Sequence, residues 1–388
     1  MENVSSKMEG NSLVILLSGH VDTNNAKQVE EEIQKIISAN SHENVIVDAA
    51  DLEYISSAGL RVVLRLRKLC PSLKVINVSS EVYEVFDMTG FTEMIPIEKA
   101  YKQISVDGCE VIGEGANGKV YRIDAETIVK AYKNPDSLDD ILNERKLAKK
   151  AFVLGIPTAI SYEIVRIGDG YGSVFEKLTA LSLAKLTKEN PDKVDEYVKY
   201  SVDLLKLIHH TTIETGEMPP IKPTILKWVN RLENTLPEAT LQKLRSLVEA
   251  VEDKHTVLHG DYHFKNVMYE DGETLLIDMD TLCTGHPIFE FASIYNAYVG
   301  FGCVDKSKVE NFLNLPYELT NHIWDKTLEL YFDTTDSEYL NNITDKAKLI
   351  GYTRITQRAI RRNENPALIE FCTKQIIELT EKLDTLEF

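Results

Sequence analysis

The stretch Val257–Asp280, VLHGDYHFKNVMYEDGETLLIDMD, constrains this chain more than any other. Two short β-rich runs, Val267–Tyr269 and Thr274–Ile277, are joined through Asp271–Gly272. That pair suits a two-residue hairpin turn, in which both central residues take positive φ. A polar loop, His259–Asn266, precedes the hairpin, and Asp278 and Asp280 follow it. The pattern places Asp261, Asn266 and Asp278 at strand edges around one small hairpin. A carboxylate to receive an acceptor's proton, with an amide and a second carboxylate to hold Mg²⁺, is the set that phosphoryl transfer uses.

A second glycine-rich stretch lies upstream, Val111–Ile123, with Gly113, Gly115 and Gly118 in a GxGxxG spacing. Three readings compete. A dinucleotide fold requires a helix directly after the third glycine, but Val120–Ile123 is β-rich. A Walker A loop fails at Val120, which offers no hydroxyl to Mg²⁺. The glycine-rich hairpin GxGxxGxV fits, its small residues letting backbone amides approach the phosphates of ATP. Lys130 sits in the apolar strand Thr127–Tyr132, where a buried ammonium needs an anionic partner. Glu144 lies on the inward stripe of the following helix, Ser137–Leu154, and is expected to supply it; pairing with Arg145 or Lys149, or plain solvation, is the alternative. Two further strands, Ala159–Ile167 and Tyr171–Leu178, complete an expected five-stranded antiparallel lobe.

At 388 residues the chain exceeds one ordinary core, so two or three domains are expected. The formal net charge of −18 is shared by both parts, the first 107 residues holding 10 Lys and Arg against 16 Asp and Glu. This argues against nucleic acid as a partner; solubility is its ordinary meaning, and a cationic substrate its sharper one. Five scattered cysteines with no CxxC pair suit reduced thiols in a cytoplasmic protein. With no apolar run of about 18 residues and no apolar segment at the N-terminus, neither a membrane span nor a signal peptide is expected.

Residues 1–107 read as a small α/β domain: strand Ser12–Leu17, a helix from Asn24, strand Val45–Val47, a helix capped by Ser56 or Ser57, strand Lys74–Val78 and a helix from Ser79 to Met88. This order and the turn Ile55–Ser56–Ser57–Ala58–Gly59–Leu60 resemble STAS domains, the family of bacterial anti-sigma-factor antagonists. The resemblance implies a protein partner. Ala58 has no hydroxyl to carry phosphate; Ser57 keeps one, with helix capping as its plain role.

From about residue 179 the pattern is mainly helical. His209–His210 end one helix, where a cation would suit the C-terminal dipole. Arg354, Arg358 and Arg361 recur at i, i+4 and i+7 with Arg362 beside them. A solvated face is the plain reading; docking onto the acidic first domain, or an anionic substrate, are the alternatives.

Residues 108–388 resemble the aminoglycoside phosphotransferase/choline kinase branch of the protein-kinase-like fold. His259–Asn266 follows its HGDxHxxN loop and Leu276–Asp280 its strand-borne aspartate. The resemblance implies an α+β two-lobed domain, small lobe 108–178 and helical lobe 179–388, behind a small α/β STAS-like domain. It implies Asp261 as catalytic base, Asn266 and Asp278 as Mg²⁺ ligands, and Lys130, anchored by Glu144, on the phosphates of ATP. Gly113, Gly115 and Gly118 would cover those phosphates, and Glu176 to Leu178 would lie near the base. His259 and His263 would shape the loop; Asp280 would help at the metal or stand behind it. Only six residues separate Asp280 from Pro287, too few for a long activation loop, which favours a small-molecule hydroxyl over a protein as acceptor, and the resemblance implies one of aminoglycoside or choline type. A protein Ser/Thr kinase and a non-catalytic nucleotide sensor are the competing functions. Glu290, and His286 before Pro287, depart from the branch's usual Asp residues.

Overall fold

A computed structural model describes residues 3–115 and 117–388. Contacts divide the chain into two compact units, Met1–Ser105 with Ile164–Gly168, and Val106–Glu163 with Asp169–Phe388. Both helices and sheets are present in an α+β arrangement.

The first unit is built on a five-stranded sheet in the order Val4–Glu9, Ser12–Val21, Asn44–Ile55, Lys74–Val78, Ile97–Lys99. The first pair is antiparallel and the rest parallel. Leu13, Ile15 and Leu17 alternate into a core shared with Val45 and Val47 and with helices Ala26–Ala39, Ser57–Leu69 and Ser80–Met88. The cap of Ser57–Leu69 is Ser56, whose Oγ accepts from the N–H groups of Ala58 (3.1 Å) and Gly59 (3.4 Å). Ser57 is therefore not the cap but an exposed first helical residue. Gly59 is required by close approach, since a Cβ there would stand 2.7 Å from Ile55 and 2.8 Å from the Val21 carbonyl.

The second unit carries an antiparallel sheet in the order Gly170–Glu176, Thr127–Tyr132, Gly118–Arg122, Glu110–Glu114. The expected fifth strand differs. It begins at Glu163 rather than Ala159, because Pro157 and Ala159 bond the backbone of Leu276 instead. Its remainder groups with the first unit, where Val165–Ile167 pairs in parallel with Lys102–Ile104. Helix Leu138–Val153 packs on the sheet side and against the turn Met279–Thr281. After Glu176 the chain crosses to strand Leu181–Ser182, which pairs with Val267–Glu270 and so joins the sheet to the hairpin. The helical part is organised around Ile288–Tyr298, a helix whose every residue is buried and which packs on Ser337–Arg362 and Tyr317–Phe332. A helix buried on every face belongs at the centre of a large core, and its polar Glu290, Ser293 and Asn296 must find partners there. No helix among the described residues is long and apolar enough to cross a membrane.

Candidate active site

The hairpin forms as its turn chemistry dictates. Val267 pairs with Leu276 and Glu270 with Glu273, and the turn residues Asp271 and Gly272 have φ of 48° and 94°. Asn266 stands just before the first strand and Asp278 just after the second, tied by the bond from the Ile277 N–H to the Asn266 carbonyl (3.0 Å). Asp278 adopts a left-handed conformation (φ 66°, ψ 62°), a costly state for a residue with a side chain and one that clusters at functional sites. The next residue, Met279, is buried.

Lys130 is at the middle of its strand, opposite Val120 on one side and Ser173 on the other. Its Nζ donates to Glu144 Oε1 and Oε2 (3.1 and 3.3 Å) and to Asp278 Oδ1 (2.7 Å). Burial alone would drive its proton off; the charges of Glu144 and Asp278 outweigh that and hold it firmly as an ammonium. Tyr132, two residues on and hence on the same face, donates its hydroxyl to Glu144 Oε2 (2.8 Å). The period-two rule could have found this tyrosine from the sequence; it was missed.

The glycine hairpin closes through a bond from the Gly115 N–H to the Gly118 carbonyl (2.9 Å). Only at Gly118 is a side chain sterically barred, because a Cβ would lie 2.2 Å from the Ala131 carbonyl. At Gly113 the nearest atom is 3.7 Å away, and at Gly115 nothing lies within 4 Å. Asn117 reaches across 163 residues of sequence to Asp280 Oδ2 (3.2 Å). Burial, then the charges of Asp278 and Glu144, push the Asp280 carboxyl up to about 7.

Asp261 sits in the loop before the hairpin. Burial would raise its carboxyl, but the hydrogen bond and charge of His263, with Arg354 and His259, hold it well below the usual carboxylate range. His263 Nε2 lies 3.5 Å from Asp261 Oδ2, and Arg354 Nη2 3.6 Å from Oδ1. Asn266 Nδ2 donates to the Asp261 carbonyl (3.0 Å), so its Oδ1 is the atom left to meet a cation. The loop is clamped from below by Glu290, fully buried, whose carboxylate accepts from the N–H groups of His259 (2.5 Å) and Gly260 (3.0 Å). Burial pushes this carboxyl up to about 7. Gly260 has φ 81°, and a Cβ there would strike the Thr281 carbonyl at 2.5 Å. Ser293 Oγ donates to the Gly260 carbonyl (3.0 Å) and accepts from Arg354 Nη1 (2.8 Å).

Two expectations are corrected. Arg354 is not part of a solvated face, because Ser293, the Gly260 carbonyl and the Asp261 carboxylate draw it inward. His209 is not a cation at a helix end. It is buried, burial lowers its pKa to about 3, and its Nδ1 pairs with the Tyr331 hydroxyl (2.8 Å). Glu176 and Leu178 stand apart from Lys130, at the exit of strand Gly170–Glu176, where the Lys177 N–H bonds the Glu126 carbonyl (2.6 Å).

This arrangement offers an ammonium between two carboxylates, two oxygen donors on one hairpin, and a carboxylate beside them. The model of the phosphotransferase enzyme family (APH) matches residues 108–304, and that of the STAS domain residues 3–104. BtrV of Bordetella bronchiseptica, named among the anti-sigma factor antagonists, is 36% identical over 101 residues, 25% of this chain and 85% of that relative. The anti-sigma F factor antagonist of Paenibacillus polymyxa is 27% identical over 89 residues, 22% of this chain and 76% of that relative. Among solved structures, a thermostable mutant of the aminoglycoside phosphotransferase APH(4)-Ia, in ternary complex with ADP and hygromycin B, shares the fold. It is 11% identical with a TM-score of 0.50, over 71% of this chain and 94% of that one. With its Asp261 loop, its Lys130–Glu144–Asp278 cluster and the family match across half its length, the chain belongs to the phosphotransferase enzyme family, a kinase-class transferase carrying an N-terminal STAS domain.

Proposed function

We propose that the chain transfers the γ-phosphoryl group of ATP, with Mg²⁺, to the hydroxyl of a small molecule. The observation that supports this most is Lys130 held between Glu144 and Asp278, which brings the sheet, the helix and the hairpin to one point. The oxygen donors Asn266 and Asp278 suit a hard cation and would hold Mg²⁺, which would neutralise phosphate charge. Lys130 would then face the α- and β-phosphates, oriented by Glu144. The hairpin of Gly113, Gly115 and Gly118 would lie over those phosphates, and Glu176 to Leu178 would meet the adenine. Asp261 would orient the acceptor hydroxyl and take its proton as the new P–O bond forms and the bond to ADP breaks. A carboxylate of depressed basicity serves here as a late proton acceptor, positioning being its main contribution.

A small acceptor is favoured by the short path after Asp280. Met279–Thr281 turns at once into Cys283–Thr284, which pairs with Val257–Leu258, and helix Ile288–Tyr298 follows. No segment there is long enough to form a platform for a protein substrate. The STAS domain would engage a protein partner. The test is ADP release from Mg–ATP across panels of alcohols, amino-alcohols, sugars, aminoglycosides and proteins. Release driven by a small alcohol is expected; ATP binding with no turnover on any panel would contradict the reading.

A further inference from the structure

Helix Ser337–Arg362 brings Arg354 to Asp261 and carries Arg358, Arg361 and Arg362 over its last two turns. Arg354 stacks on the Trp228 ring at 5.6 Å and reaches Asp261 and Ser293. Arg358, one turn on and about 6 Å away by helix geometry, stacks on the Phe301 ring at 5.6 Å. Among the described residues Arg358, Arg361 and Arg362 form no ion pair or hydrogen bond through their side chains. Burial, then the charges of Arg362 and Arg354, lower the Arg358 pKa, with Glu364 opposing, as befits a guanidinium short of an anion. The Arg354 N–H groups are engaged by Ser293, the Gly260 carbonyl and Asp261, whereas Arg358 keeps its N–H donors for an oxyanion.

Resting on the phosphotransferase reading above, we propose that the acceptor alcohol carries an oxyanion, a carboxylate or a phosphate ester, held by Arg358 beside Arg354 while its hydroxyl faces Asp261. The one-turn spacing sets hydroxyl and oxyanion only a few bonds apart. A polycation such as an aminoglycoside would meet like charge at this surface. The net charge of −18 does not decide the matter, since the local field at the site is set by these arginines.

The test titrates sodium sulfate into the full chain, with Mg–ADP present and ionic strength fixed, and follows tryptophan fluorescence. Trp228 lies under Arg354, and Trp324, the other of the chain's two tryptophans, is buried. A saturable change is expected, weakened at least about tenfold in Arg358→Gln and less in Arg358→Lys, which keeps the charge but not the paired donors. Lys130→Met should retain the signal, placing it away from the nucleotide's phosphates. Competition by glycerate and by glycerol 3-phosphate separates carboxylate from phosphate ester. No saturable change, or one that survives in Arg358→Gln, would overturn the proposal. Phosphoryl transfer to a cationic alcohol without a sulfate signal would overturn it and leave the phosphotransferase reading standing. A sulfate signal lost in Arg358→Gln, with phosphoryl transfer to no alcohol, would support the anion site and overturn that reading.

Discussion

Replacing Glu144 with alanine probes the link between stability and phosphate handling. Glu144 is 9% exposed and accepts three hydrogen bonds, two from Lys130 Nζ and one from the Tyr132 hydroxyl. Removing the partner of a fully isolated buried charge costs about 3–5 kcal/mol. Lys130 is not left isolated, because Asp278 stays at 2.7 Å, and Tyr132 keeps the Ser173 hydroxyl at 3.3 Å. The loss is therefore that of hydrogen bonds to a charged group, about 2–3 kcal/mol. Both tryptophans lie in the second unit, so their fluorescence in urea reports its unfolding. In the variant Lys130 would belong to Asp278 alone and be turned from the phosphates. If the same energy is lost from the transition state, kcat/KM falls about 30- to 150-fold. Glu144→Gln, which keeps an acceptor for Tyr132 but not the charge, should fall between. A Glu144→Ala enzyme within about 0.5 kcal/mol of the parent in stability, and within about threefold in kcat/KM, would refute the reasoning.

Gly118→Ala would force its Cβ to 2.2 Å from the Ala131 carbonyl. Such overpacking costs about 1–3 kcal/mol, and KM for ATP should rise with it. Gly115→Ala, with nothing within 4 Å, should leave the melting temperature unchanged, so equal effects from the two would contradict the assignment. Burial pushes the Glu290 carboxyl up to about 7 from the ordinary 4.5 of a glutamate, so its stabilising contribution is complete below about 4.5 and is lost as pH rises through about 7. Glu290→Gln keeps an acceptor for the His259 and Gly260 N–H groups and has no such loss. The melting-temperature difference between variant and parent should move toward the variant from pH 5 to pH 8. A difference independent of pH would show that Glu290 does not titrate in this range.

What was legible in the sequence was local. Asp271–Gly272 announced its hairpin because few residue pairs tolerate two positive φ angles in succession. Lys130 and Glu144 were legible because a charge on an apolar strand or an inward helix stripe must find a partner. Strand Val4–Glu9 was not, since only Val4 is buried and the other five residues give no alternation. Contacts across long separations were equally hidden. The bond from Asn117 to Asp280 leaves no periodic mark on either segment. Arg354 repeats at helical spacing with exposed arginines, so its turn inward depends on Ser293 and the Gly260 loop, 61 and 94 residues away. His209 shows the same limit: its position at a helix end suggested charge, whereas Tyr331 and the surrounding core keep it neutral. Glu290 was visible only as a departure from a pattern; its clamp on the His259 and Gly260 amides required the fold.

The central claim is that Asp261 orients and deprotonates an alcohol at a nucleotide site built around Lys130. The most direct measurement is phosphoryl transfer by Asp261→Asn, followed as phosphorus resonance of the product alongside ADP release, with nucleotide binding measured in the same preparation. Loss of a general base typically costs about 10²–10⁴-fold in rate. The account predicts a fall of that size in kcat with nucleotide affinity preserved, because Lys130, Glu144 and Asp278 are untouched. Transfer at the parent rate in Asp261→Asn, with product phosphorus on the same alcohol oxygen, would contradict it.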